Sequence, residues 1–314
     1  MSEPGRVCPL RYRYGAKAIA VAPQREVSAL YVIGGLYGNL PALDRVEAMA
    51  GEDTANPTLC FNGDFNWFNV ETRRFLEVNR RVLANDALQG NVEAELHAPA
   101  GDAGCGCAYP DSVDAGTVER SNRIHARLKI EAERHPELQQ RLAQLPMFRR
   151  YRIGDSQIGV VHGDAEALAG WRFDVDALDD ERNRAWLRSV FDSAQADIFA
   201  STHTCLPAMR CIDRGRSTIG VIANNGAAGM PNFRGELYGL LTRIAITPSP
   251  HEVLHEVRTG EVHVALLPVR YEHPRWLAEF SMQWPDGSPA WRSYFSRITQ
   301  GPDFSPARAI AYAS

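Results

Sequence analysis

This chain of 314 residues has no run of about 18 apolar residues, so no transmembrane helix is expected. Residues 1–14 carry scattered arginines and no apolar core. That is not the pattern of a secretory signal, and a cytoplasmic location is the expectation. One sign of charge does not dominate: 34 Lys and Arg stand against 38 Asp and Glu, for a net charge of -4. A nucleic-acid-coating role is thereby disfavoured, although a local basic pocket for phosphate is not. Internal repeats at solenoid periods and low-complexity tracts are both lacking. Cysteine is sparse, at positions Cys8, Cys60, Cys105, Cys107, Cys205 and Cys211, which suits thiols or ligands better than a disulfide framework. The remainder, 45% hydrophobic and 23% charged, is ordinary for a globular protein and long enough for one large domain or two small ones.

The first half alternates between strand-like and helix-like runs. Residues 28–33, 57–61 and 87–89 read as strands, and residues 40–49 and 71–83 as helices. In the second of these helices Phe75, Leu76 and Val82 are expected to face inward. Residues 97–116, rich in Gly, Ala, Asp and Pro, break the rhythm and read as an insertion or lid. Residues 117–145 are helical, with a new helix starting at Pro136. Residues 148–153 and 157–161 form a hairpin pattern, residues 175–191 one helix, and residues 197–200, 209–213, 218–223 and 237–246 further strands. A second hairpin is expected at 253–257 and 262–269, followed by a tail holding Trp276, Trp284 and Trp291, read as core or dimer contact. This alternation indicates an α/β layered fold, in which ligand groups gather at the carboxyl ends of strands.

Five segments sit at such ends: Gly34-Gly35-Leu36-Tyr37-Gly38-Asn39, Asn62-Gly63-Asp64, Gly90-Asn91-Val92-Glu93, Val161-His162-Gly163-Asp164 and Thr202-His203-Thr204-Cys205. Each alone is unremarkable, since Gly-Asp and Gly-Asn are common turns. Their order resembles the calcineurin-like metallophosphoesterases, whose series is D-x-H-G-N, G-D, G-N-H-(D/E), an isolated H and G-H-x-H. The segment Asn224-Asn225-Gly226-Ala227-Ala228-Gly229-Met230-Pro231 resembles the N-P-G-S-x-G-x-P that follows the last motif in many of them.

The resemblance implies an α/β sandwich of two mixed sheets flanked by helices. An N-terminal segment occupies 1–27, the main domain 28–247 with an insertion or helical lid at 97–145, and a C-terminal extension 248–314 packs on the same domain. It also implies a phosphate-ester hydrolase, acting on a phosphodiester or a small phosphorylated metabolite through a metal-bound water. Asp64, Asn91, His162 and His203 match one complete half of the family's two-metal site and are the expected metal-binding and catalytic residues. The other half is rewritten: Gly35, Tyr37 and Cys205 stand where Asp, His and His are usual, and Val92 replaces the usual catalytic His. One Mn, Fe or Zn ion is therefore expected rather than two, with Tyr37 and Cys205 either supplementary ligands or fillers of the vacated space.

Two further readings stand beside this one: a silent binding or regulatory module, and different metal chemistry using Cys205, Tyr37 and the ambiguous pair Cys105 and Cys107. Asn39 and Arg234 are candidate substrate contacts, with surface pairing as the alternative for Arg234. Glu93 and Glu95 read as exposed helix-start acids or, less simply, as acid–base carboxylates. Asp164 either orients a ligand histidine or caps a helix. The expected partner is a small-molecule phosphate ester; a homodimer is left open.

Overall fold

The computed structural model describes residues 3–98, 103–215 and 218–310. Part of the insertion expected at 97–116, and the last residues of the C-terminal extension, lie outside the described residues.

Strands that are apolar on both faces need two covering layers, and the chain supplies them by stacking two six-stranded sheets. The first runs in the order β1 (Gln24–Glu26), β5 (Phe148–Ile153), β6 (Ser156–Val161), β7 (Ile198–Ser201), β9 (Thr218–Asn225), β8 (Pro207–Gly215). The second runs β11 (His255–Thr259), β12 (Val262–Val269), β10 (Gly239–Ala245), β2 (Ala29–Ile33), β3 (Thr58–Asn62), β4 (Asp86–Leu88). Both are mixed: β2, β3 and β4 are parallel neighbours, as are β6, β7 and β9, while β8, β10, β11 and β12 pair antiparallel. Leu30, Val32, Ile244 and Val264 of one sheet meet Ile158, Val160, Ile198 and Val221 of the other in a common core. Burying side chains of this size contributes about 1.5–3 kcal/mol each.

Helices cover the outer faces. They are α1 (Ala16–Ala20), α2 (Leu40–Glu52), α3 (Thr72–Val82), α4 (Asn91–His97), α5 (Ala115–Glu133), α6 (Pro136–Ala143), α7 (Val175–Asp179), α8 (Arg184–Ala194), α9 (His273–Gln283), α10 (Pro289–Gln300) and α11 (Pro306–Ala309). Asn39 caps α2 through a bond from the Ala42 N–H at 2.9 Å. No helix among the described residues is long and apolar enough to cross a membrane.

Two local readings are corrected. The helix expected over residues 175–191 is broken, because the Asp180 side chain accepts from the Arg182 N–H and starts a separate turn before α8. Leu76 faces outward at 41% exposure; Val78 takes the inward place, so that Phe75, Val78 and Val82 form the buried stripe at helical spacing. After residue 248 the chain adds β12, which pairs along its length with β10 inside the second sheet. Trp276 and Trp284 are core residues, and Trp291 stacks on Phe295.

Beneath α2, the fully buried Arg243 of β10 forks onto Asp53 at 2.7 and 3.3 Å, and Tyr31 donates to the same carboxylate at 3.0 Å. Burial by itself would raise the pKa of Asp53, but Arg243, the Ala55 N–H and Tyr31 hold it below the usual carboxylate range. A depressed folded value means the stabilisation is complete above about pH 4, the unfolded value, and is lost as pH falls through the folded one. Arg243→Met, which strands a buried carboxylate, should cost about 3–5 kcal/mol at pH 7. Urea unfolding at pH 7 and pH 3 tests this; a gap between wild type and variant that does not narrow in acid would remove the ion pair as its cause.

Candidate metal centre

The carboxyl ends of β2, β3, β6, β7 and β9 meet along one edge of the sandwich. Two asparagines stitch the sheets there. Asn62 donates across to the Val161 carbonyl at 2.7 Å, and Asn225 to the carbonyls of Gly34 and Leu240 at 3.1 and 2.8 Å. The chain then turns tightly. A Cβ on Gly63, at φ +77°, would lie 2.7 Å from His162 Nδ1 and 2.4 Å from Gly90 N, so only glycine lets the three loops approach. Six non-glycine residues among those described have positive φ, and three of them, Tyr37, Asp64 and Cys205, line the site. Strain gathered in this way marks a place where the surroundings dictate geometry.

Asp64, His162 and His203 present ligand atoms within 4.8 Å of one another, all buried. His162 Nε2 lies 3.4 Å from Asp64 Oδ2, 3.2 Å from Asn91 Oδ1 and 3.2 Å from His203 Nδ1. The far ring nitrogens are fixed by carbonyls, which can only accept. His162 Nδ1 donates to Asn62 O at 2.8 Å and His203 Nε2 to Cys107 O at 3.1 Å. That forces the remaining lone pairs of both rings into the centre. Asn91 Nδ2 donates to Cys105 O at 2.9 Å, which turns Oδ1 inward, and the Val92 N–H holds Asp64 Oδ1 at 3.1 Å. Four electron-pair donors thus converge with their outer atoms bonded, the arrangement that metal ligands adopt. Imidazole, amide and carboxylate donors suit Mn, Fe or Zn.

The rings and the carboxylate shift one another's protonation. Burial by itself would lower the pKa of His162, but the Asp64 carboxylate and the Asn62 carbonyl outweigh it and the net shift is upward. His203 is pushed down to about 3 by burial and by the neighbouring His162. Burial opposes ionisation of Asp64, yet His162, His203 and the Val92 N–H hold its pKa below the usual value.

The rewritten half is filled by protein. The Tyr37 hydroxyl contacts Cys205 Sγ at 2.9 Å, and a Cβ at Gly35 would lie 3.0 Å from the Tyr37 ring. Burial pushes both the phenol and the thiol up.

Other expected residues fall in different places. Asn39 is buried at the α2 cap and donates to Gly229 O at 2.9 Å. Arg234 pairs with Asp303 at the surface, and the site cavity is lined without it. Glu93 and Glu95 are not exposed acids. Glu93 is fully buried and accepts backbone N–H groups from Asp64, Phe65 and Gly90 at 2.8, 3.1 and 3.0 Å, clamping the Asp64 turn to the start of α4. Burial and Asp64 raise its pKa to about 7. Glu95 is bonded by Arg11 and Tyr12, each at 2.5 Å. Asp164 neither orients a ligand nor caps a helix; it gathers the N–H groups of Glu166, Ala167 and Arg172 into a loop.

Sequence reasoning missed the roof of the site. Trp67, Tyr109, Trp171 and Tyr294 close over a cavity of about 40 Å³ together with Cys107. The Cys105-Gly106-Cys107 segment of the insertion folds onto the ligands through its carbonyls, and all six cysteines are free thiols. Backbone carbonyls and rings from distant helices leave no linear motif, so only the notion of a covering insertion pointed there.

No protein-family model matches the chain, and no curated protein is significantly similar to it. Solved structures do match. A metallophosphoesterase from Sphaerobacter thermophilus aligns over 87% of this chain and 100% of its own, at 19% identity and a TM-score of 0.53. A hypothetical protein from Pyrococcus horikoshii OT3 aligns over 88% and 99%, at 14% identity and a TM-score of 0.54. The fold is that of the calcineurin-like metallophosphoesterases.

Because His162 must lose its proton before Nε2 can bind a metal, affinity should fall about tenfold per pH unit below the raised pKa of that ring. Zinc competition with a chromophoric chelator between pH 8 and 5.5 measures it, with one equivalent expected at saturation. A flat profile, or a second equivalent of similar affinity, would contradict this account.

Proposed function

We propose that this protein hydrolyses a phosphate diester at one metal ion held by Asp64, Asn91, His162 and His203. The observation that carries the reading is the convergence of these four donors at 3.2–3.4 Å separations around His162 Nε2, each with its outer atoms already bonded. When bound, the ion would supply Lewis-acid polarisation of a phosphoryl oxygen and a water acidic enough to act as a nucleophile near neutral pH.

The preference for a diester rests on charge. The donors are one carboxylate and three neutral groups, so a divalent ion leaves the site at +1. The cavity lining contains no Lys or Arg. Arg297 of α10 lies behind the wall and is engaged by the carbonyls of Cys205 and Pro231 at 2.6 and 3.1 Å. A monoanionic diester neutralises such a site, whereas a dianionic monoester would leave net negative charge in a buried cavity, which is costly. Val92 also leaves the lining with no imidazole beyond the ligand His203, so esters with good leaving groups are favoured.

With Mn²⁺ or Zn²⁺ loaded, kcat/KM for bis(4-nitrophenyl) phosphate should exceed that for 4-nitrophenyl phosphate by about tenfold or more, a difference of about 1.4 kcal/mol in barrier. Asp64→Ala and His203→Ala should abolish both. Equal rates would sink the charge argument. A metal-loaded protein inert toward both would instead be a binding module on the same fold.

A further inference from the structure

The insertion does more than roof the site. Cys105 O accepts from Asn91 Nδ2 at 2.9 Å and Cys107 O accepts from His203 Nε2 at 3.1 Å, so two of the four expected ligands take their orientation from one three-residue segment. Trp171 Nε1 donates to the same Cys107 carbonyl at 3.0 Å, and its ring stands edge-on to His203 at 5.2 Å. From the other side the segment is held by the Asn122 side chain of α5, which accepts the Cys105 N–H at 2.9 Å, and by Tyr109, which meets Ser121 at 3.0 Å. Gly106, at φ +68°, permits this close seating: a Cβ there would lie 2.5 Å from the Tyr12 hydroxyl, 2.7 Å from Glu95 Cγ and 3.3 Å from Asn91 Cβ.

The same segment forms part of the cavity wall. About 40 Å³ accommodates roughly one or two waters, against the several hundred Å³ of typical ligand sites. Cys107 and Tyr109 stand in that wall with Asp64 and His203. Lifting the segment withdraws the acceptors that orient Asn91 and His203.

We propose that the Cys105–Gly106–Cys107 segment and Trp171 are positioning elements for the metal ligands, forming a clasp that metal binding seats. The inference rests on the metal reading above. Because seating and metal binding share the same hydrogen bonds, they are linked: metal stabilises the seated clasp, and a clasp that cannot seat weakens metal binding.

The test uses the full chain and Co²⁺ or Zn²⁺ alone. Gly106→Ala changes no ligand but should raise the metal Kd by about 10–100-fold, the usual effect of disturbing groups that orient ligands. Trp171→Phe keeps an aromatic ring beside His203 and loses the indole N–H. It should raise Kd by a smaller factor of about three to ten, and it serves if Gly106→Ala does not fold. A merely structural role would not produce the second readout. Alkylation of Cys105 and Cys107 by iodoacetamide, located by peptide mass mapping, should slow about tenfold or more on metal loading of the wild type. In the variants that protection should shrink. Wild type that binds metal while both thiols react at the same rate with and without it would overturn the clasp, as would variants that bind metal like wild type. Wild type that binds no metal would remove the metal reading itself, and the clasp with it.

Discussion

Two imidazole nitrogens, His162 Nε2 and His203 Nδ1, face each other at 3.2 Å beside a carboxylate and an amide oxygen. Lone pairs held that close repel unless a positive charge lies between them, and the rest of the site is built around this requirement. The carbonyls of Asn62 and Cys107 deny the rings any other tautomer. The Val92 N–H and the Cys105 carbonyl aim Asp64 and Asn91 at the same point. Glu93 clamps the turn that carries Asp64, a residue held at positive φ. A proton satisfies the constraint weakly; a metal ion satisfies all four donors.

The neighbouring half-site follows the opposite logic. Gly35 removes a carboxylate, and the Tyr37 ring moves into the space above it to meet Cys205. A volume that would hold a cation is occupied by neutral side chains whose pKa values burial pushes upward. The Tyr37 and Cys205 side chains leave no uncompensated buried charge in that volume.

Much of this was legible in one dimension. Asp64, Asn91, His162 and His203 could be singled out because the order of their strand-end segments resembles the series of the calcineurin-like metallophosphoesterases, and parallel strands bring such ends to a common edge. The errors arose at particular residues. Leu76 and Val78 are both apolar on α3, and only the packing of that helix against the sheet decides which faces inward. Glu93 and Glu95 looked like ordinary helix-start acids, yet the first finds backbone N–H donors and the second finds Arg11 and Tyr12, partners up to 84 residues away. The broken helix before residue 184 turned on one side-chain cap at Asp180, a local competition that periodicity does not register.

By itself, then, the sequence determined the strand–turn–helix rhythm, the layered class and the residue types offered at the shared edge, because these depend on neighbours within a few positions. The tertiary structure alone decided which donors converge, how Tyr37 and Cys205 close the rewritten half, and that an insertion carries the carbonyls orienting Asn91 and His203. Those outcomes depend on backbone groups, which are the same in every residue and therefore carry no signature in the sequence until folding brings them together.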